Sequence, residues 1–312
     1  MRTPTWIIIA LVALTTALGC AQRQVAPSYP PPPTVLNATP GIAEVAAAVN
    51  RTASIRQLSS NTVVVDVLSM PSIPKLSGTL ALERDRRFRM RANLPVVLGA
   101  GMDMGSNDQV FWFEVPEGMS KVLYYAGHDA YRQQLNRAIL PVDPTWIMDA
   151  LGLIQIDPNT VVSGPTMRAD GKLELRSLVA SPSGNYQRVL MIDANAGYVT
   201  DQFLYGPMGT LVASSQASQP RYYENEQCVL PHTVELTLTP AAGPPLSMRI
   251  EVGSYAINQL LSSDPNLFTM PQTAAKAVDL TTLSMPASGT VVTPVTYDNG
   301  QLGPLPYRGL IE

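Results

Sequence analysis

The sequence predicts an α+β chain built mostly of antiparallel β-structure, and three observations carry that class. Apolar residues recur at helical spacing once near the start, then switch to a period of two from Asn61 onward. The strand-like runs are joined by short polar turns, which make neighbouring strands antiparallel. One interruption, over residues 129–152, reads as two short helices. The expected order is one helix, about five strands, two short helices and about six further strands.

The first helix is expected to start with Thr39 as its cap and Pro40 in its first turn. Ile42, Val45, Ala46, Val49 and Ala53 then share a face, with Leu58 near the end. Among the strands the clearest is Arg87-Phe88-Arg89-Met90-Arg91, where Phe88 and Met90 face one way and the three arginines the other. Gln109 to Val115, Lys121 to Tyr125, Leu173 to Val179, Tyr186 to Asp193, Tyr198 to Tyr205, Thr233 to Leu238 and Leu246 to Tyr255 follow the same rule. Gly105-Ser106-Asn107-Asp108, Ala169-Asp170-Gly171, Ser183-Gly184-Asn185 and Ala194-Asn195-Ala196-Gly197 supply turns. In the interruption, Asp129 to Ile139 places Tyr131, Leu135 and Ile139 on one stripe. Asp143-Pro144 opens a second helix through Trp146, Ile147, Met148 and Leu151 to Gly152.

Outside residues 41–270 the composition changes. Arg2 precedes an apolar run from Trp6 to Leu18, the length of a signal-peptide core and short for a bilayer span. Ala17-Leu18-Gly19-Cys20 closes it and resembles a lipobox, with Ala17 where leucine is usual. That resemblance implies cleavage after residue 19 and lipidation of Cys20; the alternative is an ordinary cleaved signal peptide. Attached acyl chains hold a protein to a membrane at ~0.8 kcal/mol per buried methylene. Residues 20–40, with Pro27 and the run Pro30 to Pro33, read as a stiff stalk. Residues 271–312, rich in Thr, Pro, Ala and Gly, read as a flexible tail, with docking along the domain as the alternative.

Charge and chemistry narrow the function. Lys and Arg number 21 against 24 Asp and Glu, so the chain has no electrostatic footprint for nucleic acid. Of the two cysteines, lipidated Cys20 leaves Cys228 without a disulfide partner, and its apolar surroundings point to a buried, inert thiol. The two histidines, His128 and His232, form no metal-ligand pattern, and no Cys-x-x-Cys is present. Ser72-Ile73-Pro74-Lys75 has the spacing of a serine–lysine pair, but Pro74 breaks the helix that would align it. Asp66, Asp103, Asp143, Asp157 and Asp193 read as carboxylates at strand ends and turns. No enzyme activity and no cofactor are expected.

The distinctive feature is apolar. Phe111-Trp112-Phe113, Val122-Leu123-Tyr124-Tyr125 and Val63-Val64-Val65 are hydrophobic on both strand faces. Tight packing against helices is one reading; a sheet curled round a hydrophobic groove, with the short helices as a lid, is the other.

Taken in order, these segments resemble the LolA/LolB superfamily of periplasmic lipoprotein carriers and receptors. The resemblance rests on the helix before the first strand, Gly78-Thr79-Leu80-Ala81-Leu82, Arg87-Phe88-Arg89-Met90, Gly105-Ser106-Asn107-Asp108 before Phe111-Trp112-Phe113, and Asp264-Pro265-Asn266-Leu267-Phe268. It implies an incomplete, half-open β-barrel of about eleven strands with a helical lid, and acyl-chain binding by apolar burial. Phe88, Met90, Phe111, Phe113, Trp146, Val199, Phe203, Leu236, Ile250 and Val252 are then the cavity candidates. Val96, Val97 and Leu98 are the membrane-contact candidates, with a strand reading as the alternative. Arg87, Arg89 and Arg91 are expected on the convex, solvated side. The implied partners are a membrane through the lipid anchor, acyl chains of lipids or lipoproteins, and a periplasmic carrier protein. An interaction or stress-sensing protein that binds a protein partner with the same fold is the competing expectation.

Overall fold

The computed structural model describes residues 29–94, 101–117, 120–133, 146–182, 184–240, 244–259, 264–272, 274 and 276–283. Residues 1–30 form a separate unit, and the fold described here begins at Pro31. Cys20, Val96, Val97 and Leu98 lie outside the described residues.

Helix α1 is Ile42–Val49, continued by a 3₁₀ turn Asn50–Ser54. Its N-cap is Gly41, with no side-chain cap, so Thr39 does not take the capping role. Instead Glu44 in the first turn reaches back to accept from the Asn37 backbone N–H at 2.8 Å. Val45, Ala46 and Val49 form its buried stripe, and Asn50 fastens its end by exchanging two hydrogen bonds with the Ile156 backbone.

Strands β1 Gln57–Asp66, β2 Leu76–Glu83, β3 Arg87–Asn93, β4 Gly101–Ser106, β5 Val110–Glu117 and β6 Ser120–Gly127 make an antiparallel meander. Helices α2 His128–Gln133 and α3 Trp146–Met148 follow, and α3 runs into a π turn Asp149–Leu153. A second meander comprises β7 Val161–Met167, β8 Lys172–Val179, β9 Tyr186–Asp193, β10 Val199–Tyr205, β11 Leu211–Tyr223, β12 Cys228–Leu238 and β13 Leu246–Val252. Short β14 Ala256–Ile257 pairs with β1, and β15 Lys276–Asp279 pairs parallel to β6.

Pairing of β1 with β13 joins the meanders into one sheet that runs from β15 and β6 through β1 and β13 to β7. β15 and β7 are its edges, so the sheet does not close. The described sheet has fifteen strands rather than the eleven expected. The middle of β11 (ASSQASQ) lacks the alternating apolar pattern and exists through its neighbours' backbone hydrogen bonds. Part of the C-terminal segment is docked: Lys276–Asp279 forms β15, and Val278 and Leu280 are buried.

Both helical regions cover the same face. Under α2, α3 and the π turn lies the larger core, with Leu58, Leu82, Phe88, Met90, Phe111, Leu236 and Ile250. Under α1 a second core joins Val45 and Val49 to Leu173, Leu175, Leu190 and Ile192.

Candidate functional site

The helix-covered face of β2–β6 is built in rungs set by register. Leu82, Phe88, Ser106, Phe111 and Ala126 face one another in sequence across the five strands. Leu80, Met90, Met104, Phe113 and Tyr124 make the next rung. Side chains alternate across a strand, so each rung shows one residue per strand to the same side. From the other half, Val234 pairs with Ile250 and Leu236 with Met248, while Val63 pairs with Val252. Phe113 stacks on Tyr124 with centroids 4.9 Å apart, and Phe111 meets Tyr131 of α2 edge-on at 5.1 Å.

Tyr131, Trp146, Met148, Leu151 and Leu153 roof this face. Two arginines fasten the roof. Arg188 pairs with Asp149 and donates to Gln202 Oε1 at 2.9 Å. Arg84 donates to the backbone carbonyls of Ile55, Thr52 and Leu153 at 2.8–3.1 Å, and burial lowers its pKa from the ordinary arginine value. Gly152, at φ 91°, lets the π turn press on β12: a Cβ there would stand 2.8 Å from Pro231 Cδ.

Of the cavity candidates, Phe88, Met90, Phe111, Trp146, Leu236, Ile250 and Val252 lie in this one core, with Phe113 packed against it. They fill it themselves: Phe88, Met90, Phe111 and Ile250 are at most 1% exposed. Val199 packs on the smaller core under α1. Phe203 stands on the opposite sheet face, although even spacing puts it with Val199. A bulge at Thr200 is the cause, since Val199 pairs with Ile192 but Asp201 with Met191. One extra residue flips every later side chain. Phe203, Val189 and Met191 floor an open groove of about 660 Å³ on that outer face, bordered by Arg168, Glu174 and Arg176. The roof residues Tyr131 and Met148 were visible in sequence only as helix stripes, with no signal for which sheet face they cover.

The arginine side of β3 differs from expectation. Arg87 is half exposed and binds Asp108, whose pKa falls chiefly through that hydrogen bond. Arg89 is buried, 6% exposed. It grips Asp103 at 2.6–3.2 Å and donates to the Asn266 and Leu267 carbonyls. The 264–268 segment lies over it, a coverage that strand alternation does not contain.

Among the described residues neither histidine joins a nucleophile to a free carboxylate. His128 Nε2 lies 3.0 Å from both Ser106 Oγ and the Asn107 carbonyl, while nearby Asp108 is held by Arg87. His232 donates from Nδ1 to the Val252 carbonyl and accepts from the Tyr223 hydroxyl at 2.8 Å. Burial drives its pKa down to about 4, so the ring is neutral. Cys228 is buried, and desolvation pushes its thiol up to about 12. Among the described residues no cluster of three or more His, Cys, Asp or Glu could hold a metal.

No protein-family model and no curated protein sequence matches the chain. The chain is similar to an outer membrane lipoprotein-sorting protein domain from Vibrio parahaemolyticus, with 9% identity and a TM-score of 0.47 over 72% of this chain and 96% of that one. A DUF1329 family protein from Desulfovibrio piger is similar at 11% identity and a TM-score of 0.46, over 72% and 95%. A LolA superfamily protein from Nitrosomonas europaea is similar at 11% and 0.39, over 72% and 96%.

Proposed function

We propose that the chain is a non-enzymatic, lipid-anchored protein of the bacterial envelope that binds acyl chains of lipids or lipoproteins against the apolar face of its open sheet. The observation that supports this reading most is the construction of the roof. A broad apolar face is covered by short helical pieces held through Arg84 and Arg188, not by a second sheet. The roof leaves without unpairing any strand, and an acyl chain then replaces Trp146, Met148 and Leu151 as the covering. That exchanges one apolar contact for another, so affinity grows by ~0.8 kcal/mol per additional buried methylene. In this scheme Cys20 carries the anchor, Val96, Val97 and Leu98 touch the membrane, and a periplasmic carrier protein delivers or removes cargo.

Brominated fatty acids test the proposal. In the mature chain, cleaved after residue 19 and so without Trp6, Trp146 sits in the roof and Trp112 on the opposite sheet face, so bound ligand quenches emission and the effect disappears in Trp146→Phe. Native mass spectrometry of the same protein then shows added lipid mass. Absence of both quenching and lipid mass would overturn the reading. A protein-partner function is the second reading, favoured by how completely Phe88, Met90 and Phe111 fill the face; partner capture that survives Trp146→Phe without any lipid uptake would establish it instead.

A further inference from the structure

An antiparallel meander has two ends, and its hairpins fall alternately at each. Here the ends differ in charge. Among the described residues one end gathers 67–75, 94, 180–182, 184–185, 206–210, 239–240 and 244–245, as the pairs Val65–Leu76, Asn93–Gly101, Val179–Tyr186, Tyr205–Leu211 and Leu238–Leu246 require. In a chain with 14% charged residues, these residues include Lys75 as their one charged side chain, its ammonium matched by Asp66 at 3.7 Å and Glu251 at 3.4 Å, and β15 adds Lys276 beside the start of β6. The opposite end gathers 84–86, 107–109, 168–171, 194–198 and 224–227, which hold the run Arg84-Asp85-Arg86 together with Asp108, Asp170 and Glu224.

Exposed apolar side chains follow the same division. Leu68, Val162, Leu178, Val179, Met208 and Leu211 are 36–90% exposed, and all belong to the uncharged end; Met167, on edge strand β7, is the exception. Met208 stands out at 90%, at the tip of Gly206-Pro207-Met208-Gly209, where nothing in the fold calls for a large apolar residue. Half-buried Tyr186 and Tyr205 sit just behind these tips, the depth at which amphipathic rings favour a membrane–water interface.

From this we infer that the uncharged hairpin end docks on a lipid bilayer, inserting the tips around Val179 and Met208 into the headgroup region. A protein interface concentrates packed anchors, often aromatic or arginine, in one contiguous core. Here the apolar residues stand on separate tips along a broad rim whose few charges, ion-paired Lys75 and Lys276 of β15, lie away from those tips in sequence, which suits a planar fluid that receives each side chain independently. The inference deepens the envelope reading without needing ligand in the concave face, and it does not involve residues 96–98.

Site-specific fluorescence tests it. The full chain with Met208→Cys, and separately Val179→Cys, carries an environment-sensitive thiol probe; Cys228 is buried, and the unsubstituted chain reports any label at Cys20. Addition of phosphatidylcholine vesicles is expected to shift emission to the blue and expose the probe to nitroxide-lipid quenching at 208 and 179. A probe at Asp170→Cys, on the charged end, stays water-like. Adding Met208→Asp to the chain labelled at 179 weakens vesicle partitioning roughly tenfold. Equal responses at 208 and 170 overturn the inference. So does a shift at 208 that needs protein concentration rather than vesicles, which assigns the end to a second copy of the chain. Fatty-acid quenching of Trp146 measured on the same preparation separates the two proposals, since either result stands without the other.

Discussion

Arg89 offers the sharpest test of how this sheet is held. Its guanidinium is 6% exposed and its partner Asp103 14%. The pair is further tied by Trp112 Nε1–H donating to Asp103 at 3.3 Å and by the guanidinium lying 5.7 Å from the Trp112 ring centroid. Arg89→Met keeps the apolar stem but strands the carboxylate and removes the donors to the Asn266 and Leu267 carbonyls. Breaking a buried pair from one side costs about 3–5 kcal/mol. Arg91, 3.4 Å from Asp103 and half exposed, offsets part of that, so about 3 kcal/mol is expected. Arg89→Met with Asp103→Leu removes both charges and is expected to recover about 2 kcal/mol of the loss. Urea unfolding of the two single variants and the double variant measures the cycle, and proteolysis near Phe268 reports release of the 264–268 segment. A single-variant loss below about 1 kcal/mol, or a double variant whose loss equals the sum of the singles, would refute a buried, coupled pair.

Three further outcomes are expected. Gly105→Ala places a Cβ 2.4 Å from Trp112 Cζ2 and 2.8 Å from the Phe88 carbonyl; a loss of about 1–3 kcal/mol in urea unfolding is expected, and an unchanged midpoint would disprove the packing of Trp112 on this strand. His232 has a folded pKa near 4 against ~6.5 unfolded, so below pH 6.5 the unfolded chain takes up a proton that the folded chain refuses. Stability therefore falls as pH drops from 6.5 to 4, by on the order of 2 kcal/mol, and His232→Gln flattens that part of the pH–stability curve; an identical curve in the variant contradicts the assignment. The thiol of Cys228, with its pKa pushed up to about 12, is expected to ignore a thiol reagent at pH 8 until the chain is unfolded in urea; rapid labelling of the native chain at this residue would show that it is not buried.

The sequence by itself determined the class and most of the strand faces. Period-two alternation is local, so Phe88 with Met90, Leu236 and Ile250 declared a buried side without knowledge of their neighbours. The helical interruption was equally legible, since the Trp146–Leu153 stretch carries its apolar stripe and its terminating glycine in the chain itself. Tertiary structure decided what depends on partners distant in sequence. Whether β1 joins β13 and leaves the sheet open at β7 and β15 is a matter of which edges find each other. The bulge at Thr200 that turns Phe203 outward is one residue of register, invisible to spacing. Arg89 is buried because a segment 177 residues later covers it. The apolar face that sequence offered as an open cavity is filled because Tyr131, Trp146 and Leu151 fold back onto it. Alternation fixes which side of a strand a residue takes; only packing decides what lies on that side.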